Sequence, residues 1–146
     1  MWEFFMNWLI PAVIATFFNT FFLSLVYLYL YLKEKALSLK IFTVSWFIYS
    51  MRFIFMILYE YYQYPIFLMI NQLLVLVSSV ILLYGFYVWR KKQTLPLYWL
   101  FISLIGAGWI LVTHFLHLNF MLFTLPTFAI TGTIYILCGL LLYRDT

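Results

Sequence analysis

The chain has 146 residues, of which 68% are hydrophobic, 25% aromatic and 8% charged, with a formal net charge of +4. A soluble domain carries roughly 25% charged residues, so this composition excludes a water-soluble globular domain and defines an integral membrane protein. The basic excess then reads as a topology signal and calls for no nucleic-acid partner.

Five apolar segments follow one another, each long enough to cross about 30 Å of hydrocarbon. The first spans about 4–32 and ends at KEKALSLK. The second spans 41–59 and ends at EYYQYP, and the third spans 66–89 and ends at RKKQTLP. The fourth spans 97–118, where HLNF is a weak break, and the fifth spans 120–143. The expected fold is an all-α, five-transmembrane-helix bundle forming a single domain over 1–146. No cleavable signal peptide is evident: the start carries an acid, no basic n-region, and an apolar run too long for an h-region. No internal repeat is visible.

The breaks after the first and third segments hold Lys33, Lys35, Lys40, Arg90, Lys91 and Lys92, and Arg144 follows the fifth. The N-terminus and the other breaks hold no Lys or Arg, only Glu3 and Glu60. The positive-inside rule therefore places the N-terminus outside and the C-terminus in the cytoplasm. Trp and Tyr near both boundaries fit the aromatic belts of a bilayer.

Arg52 stands apart in the run SWFIYSMRFIFMILYE. It lies seven residues, or roughly 10 Å, below the expected outer end of its helix. A lone arginine at depth costs from about 3 to above 10 kcal/mol, so something must offset it. Asn7, Asn71, Gln72, His114, His117 and Thr124 fall in the same outer half of the membrane, with Glu60 at the rim. Helical phase groups Ser45, Tyr49, Arg52, Met56 and Tyr59 on one face of the second helix, and Asn71, Val75, Ser78, Leu82 and Gly85 on one face of the third. Ser103, Gly106, Ala107, Ile110, His114 and His117 form the fourth stripe; Thr124, Thr127, Thr131, Tyr135 and Cys138 form the fifth.

Small residues in these stripes admit close helix approach, so the stripes are expected to face inward around an outward-open polar pocket. Carbonyls freed by Pro11 and Pro126 are expected to help line it. The candidate ligand-binding residues are Arg52, Tyr49, Asn7, Glu60, Asn71, Gln72, His114, His117 and Thr124. Structural readings stand beside this one. Arg52 can snorkel to Glu60, Glu3 or a tyrosine face, Asn71 and Gln72 can bond a neighbouring helix, and the histidines can be interfacial polar groups.

Several chemistries are demoted. All lysines lie in the breaks, which excludes a retinal Schiff base. Cys138 is alone, which excludes an intrachain disulfide and a dithiol redox site. His114 and His117 share one helix, a poor arrangement for haem and a weak one for zinc or copper. No paired acids or nucleophile–base pattern occurs in the membrane, so neither an enzyme nor a cofactor is expected. A small carrier or channel subunit for an anionic or amphiphilic solute is the alternative, although the inner half offers no continuous polar path.

The stretches YLYLYLKEKALSLKIFTVSWFIYSMRF, NQLLVLVSSVILLYGFYVWRKK and GTIYILCGLLLYRDT resemble the N-terminal membrane regions of prokaryotic sensor proteins. The carrying features are an aromatic first helix, Ser-Trp-x-x-Tyr-x-x-Arg at 45–52, and a Tyr-Gly turn at 84–85. In such proteins these regions precede PAS, histidine kinase or diguanylate cyclase modules. The resemblance implies a multi-pass sensory domain of a prokaryotic inner membrane, dimeric as such kinases and cyclases are. The last helix would relay a signal to a cytoplasmic output module, the sequence being expected to continue past Thr146. The expected partners are membrane lipids, a second copy of the chain, and a small anionic or amphiphilic ligand pairing with Arg52.

Overall fold

A computed structural model describes the backbone of residues 2–144 and the side chains of residues 8–144. Among them are five α-helices and no strand: α1 (Trp2–Glu34), α2 (Leu37–Tyr62), α3 (Pro65–Lys91), α4 (Leu97–Phe115) and α5 (Phe120–Tyr143). Each is long and apolar enough to cross a membrane, the architecture of a multi-pass membrane protein. A helix satisfies its own backbone hydrogen bonds, which is what lets these apolar runs sit in lipid.

The first three helices run further into the polar breaks than the apolar pattern alone indicates, because Lys, Glu and Leu are good helix formers and water at the interface accepts their charges. Only Lys35 and Ala36 separate α1 from α2, and only Gln63 and Tyr64 separate α2 from α3. Each of the four connections contains one left-handed residue: Lys35 (φ 56°), Gln63 (φ 55°), Lys92 (φ 51°) and His117 (φ 49°). Glycine is the usual residue there, yet no glycine in the chain has positive φ. The caps close with backbone bonds. The Lys35 N–H donates to Tyr31 O at 2.7 Å, and that of Gln63 to Tyr59 O at 2.8 Å.

Two expectations are corrected, one at the end of α4 and one within α3. The helix stops at Phe115, not 118, and the N–H groups of His117 and Leu118 donate to His114 O and Thr113 O at 3.2 and 3.1 Å. That pair of bonds around a left-handed residue is a Schellman cap. Tyr84 and Gly85, expected as a turn, lie inside α3.

Short connections make consecutive helices antiparallel, so α1, α3 and α5 finish at one end. This basic end carries Lys33, Lys35, Lys40, Arg90, Lys91, Lys92 and Arg144. Packing is uneven. Among the described residues α1 touches only α2, whereas α3 touches α2, α4 and α5, and the α4 and α5 backbones also meet. The backbones of α2 and α5 do not come together. The apolar core lies between α3, α4 and α5, where Leu83, Ile110 and Ile134 are fully buried. The α1–α2–α3 side is held by ring contacts, with Phe42 5.5 Å from Tyr27 and 5.2 Å from Phe86 between centroids. Gly85 permits this approach: a Cβ there would lie 2.6 Å from the Phe42 ring.

Two side chains tie helix ends together. Pro126 has no N–H, so Leu122 O one turn earlier loses its intrahelical donor. Trp109 Nε1 of α4 donates to that carbonyl at 2.8 Å. The carbonyl expected to line a cavity is therefore occupied. Pro11 is exposed on α1. At the basic end, Arg90 Nε donates to Leu141 O at 3.0 Å, covering a terminal carbonyl of α5.

Candidate functional site

Arg52 lies ten residues from the Tyr62 end of α2, about 15 Å into the helix, deeper than the sequence suggests because α2 extends past Tyr59. Its guanidinium carbon sits 5.0 Å from the Tyr49 ring centroid and 4.9 Å from that of Phe53. The tyrosine face is thus the partner the fold supplies. Cation–π contacts contribute about 0.5–2 kcal/mol each, which offsets part of the burial cost. Arg52 Nε is buried without a hydrogen-bond partner.

The other candidates separate into two groups. His114 and His117 line a recess of about 270 Å³ at the end opposite the basic one, with Tyr59, Thr113 and Phe123. Arg52 is not among its lining residues. Among the described residues no third His, Cys, Asp or Glu joins the histidines in a metal-binding group. Asn71 and Gln72 are buried in α3, and Asn71 Oδ1 has no hydrogen-bond partner. Thr124 is buried and donates to Phe120 O at 3.0 Å, so its hydroxyl is satisfied locally. Glu60 is half-buried on the last turn of α2, its carbonyl accepting from Gln63 Nε2 at 2.9 Å. The side chains of Asn7 and Glu3 lie outside the described residues.

A larger cavity, about 580 Å³, opens at the basic end. Its walls are aromatic: Tyr27 of α1, Phe42 and Trp46 of α2, Phe86 and Trp89 of α3, and Tyr135 of α5. Ser38 and Glu34 supply the polar side chains. The volume and lining match the usual small-molecule pocket of roughly 300–1,000 Å³, mostly apolar with a few polar groups. A small gap of about 10 Å³, bounded by Ser45, Tyr49, Ser78 and Tyr135, lies between this cavity and Arg52. Trp46, Leu82 and Tyr135 border both spaces. Ser45 Oγ donates to Ser78 O at 2.8 Å and fixes α2 against α3 there.

Sequence reasoning did not find this cavity. One available signal was the spacing Phe42, Trp46, Tyr49, Phe53 on α2 and Leu82, Phe86, Trp89 on α3, two stripes at helical period. The buried stripes of α3 and α5 agree with the expectation at Asn71, Val75, Ser78, Gly85, Thr124, Thr127, Thr131 and Cys138. Tyr135, expected inward with them, is 43% exposed, and Ile134 takes the core position.

The chain matches no protein-family model, no curated protein and no solved structure.

Proposed function

We propose that the protein is a membrane-embedded sensory module of a prokaryotic inner membrane, N-terminus outside and C-terminus cytoplasmic. The aromatic cavity is its ligand seat and α5 its output element. One observation carries the reading: the cavity lies between α2 and α5, two helices whose backbones do not otherwise meet. An occupant there sets their separation, and a ligand shifts an equilibrium by its differential affinity for the two arrangements. Arg52 borders this system through Tyr49 and is the polar end of it. The output module is a cytoplasmic kinase or cyclase, and the working form is a homodimer.

The test fuses residues 1–146 to a dimeric histidine kinase domain. Leu82→Trp, which fills the cavity, changes autophosphorylation by about fivefold or more, the scale of ordinary allosteric coupling. Ile105→Trp, on the exposed side of α4, leaves it unchanged. Equal rates in both variants overturn the proposal.

A small carrier is the second reading, favoured by recesses at both ends and by the unpartnered Asn71 Oδ1 and Thr127 Oγ1. Solute uptake into proteoliposomes holding the purified chain, abolished by Leu82→Trp, selects it over the sensor.

A further inference from the structure

We infer that the aromatic cavity binds a single-chain anionic amphiphile. Its carboxylate or phosphate head lies at the first turn of α2, and its tail lies among the rings. The inference rests on the reading of this cavity as the ligand seat.

The first turn of α2 carries the argument. Ala36, Ser38 and Leu39 line the cavity, and the helix begins at Leu37. Its N-cap, Ala36, makes no side-chain cap bond, and no acidic residue occupies the first turn. An uncapped N-terminus presents unsatisfied N–H groups and the positive end of the helix dipole. Ser38 is the second, independent observation. It is only 7% exposed and lines the cavity, yet its hydroxyl makes no hydrogen bond to any described residue. With no protein group bonded to it, that hydroxyl is left for whatever fills the cavity it lines. An anionic oxygen satisfies the hydroxyl and the helix N–H groups together.

Charge selects the sign. Lys33, Lys35, Lys40, Arg90, Lys91 and Arg144 each lie within two positions of a lining residue. The Arg90 guanidinium is 5.1 Å from the Trp89 ring centroid. Against these stands Glu34, the one carboxylate in the lining among the described residues; it is exposed and flanked by Lys33 and Lys35. The mouth therefore attracts anions. Deeper in, Phe42, Trp46, Leu82 and Phe86 offer no charge, so the rest of the ligand is apolar. The size of the cavity suits one chain.

The experiment uses the full chain in detergent at alkaline pH, with 9,10-dibromostearate, its uncharged methyl ester and a dibrominated diacyl phosphatidylglycerol as quenchers. The Trp46 contribution is isolated by comparison with Trp46→Phe. The expected result is quenching of Trp46 by the carboxylate about tenfold tighter than by the ester, the scale of a hydrogen bond to a charged group. Ser38→Ala removes most of that preference, and Glu34→Gln strengthens it. Equal affinity for acid and ester overturns the anionic assignment and leaves the ligand seat standing. Equal quenching by the diacyl lipid overturns the single-chain assignment. Quenching of exposed Trp109 with none at Trp46 overturns both the inference and the seat it rests on.

Discussion

α1 and α3 are both long apolar helices, and a bilayer accepts either. Their places differ sharply. α3 is buried among three neighbours and carries Asn71, Gln72, Ser78 and Ser79 inside the protein. Among the described residues α1 lies against α2 alone, and it turns Phe18, Phe22, Val26 and Tyr29 outward. Apolarity decides that a segment enters lipid; small and polar residues decide where it packs. Lipid tails are as apolar as Leu, so no hydrophobic force draws helices together there, and close fit and hydrogen bonds do the work.

The widest gap between the two helices is expected in core truncation. Leu83→Ala on α3, at a site with no exposure, destabilises by about 2 kcal/mol, chiefly the cavity contribution. Val26→Ala on α1 costs under about 0.5 kcal/mol. Equilibrium unfolding in mixed micelles measures both, and equal losses break the comparison. Next, Gly85→Ala forces a methyl against Phe42 and costs about 1–2 kcal/mol, whereas Gly132→Ala, with open space around it, does not destabilise.

The same logic extends to α4 and α5. Trp109→Phe costs about 1 kcal/mol by orphaning Leu122 O. In a Pro126→Ala background, where the backbone recovers its donor, that cost largely disappears, and a double-mutant cycle reports the difference. A smaller effect falls on the one polar tie of α1 to α2 among the described residues. Ser24→Ala removes the Oγ bond to Thr43 O at 3.1 Å and costs about 0.6 kcal/mol. Hydrogen exchange of α1 then rises while that of α3 stays unchanged.

The spans were legible in the sequence because runs of about twenty apolar residues have few other uses. The buried faces of α3 and α5 were legible because Asn71, Ser78, Thr127 and Thr131 recur at helical period. His114 and His117 were placed in one inward stripe that the fold does not continue. The Schellman cap ends α4 first, and Thr113 takes the buried position. Arg52 was marked by its chemistry alone, and its Tyr49 partner by the step of three. The aromatic cavity was not legible. Tyr27 and Glu34 of α1 meet Tyr135 and Leu142 of α5 across it, and no local pattern states which side of α2 the first helix takes.

The glycine-free connections have a mechanical consequence. With two of them only two residues long and every one pinned by a left-handed residue, a span has no slack with which to slide along its neighbour. Rocking about the pinned ends leaves those caps intact. Motion in this bundle is thus a change of lean, shared between adjacent rods, and a piston stroke would first have to unwind a turn.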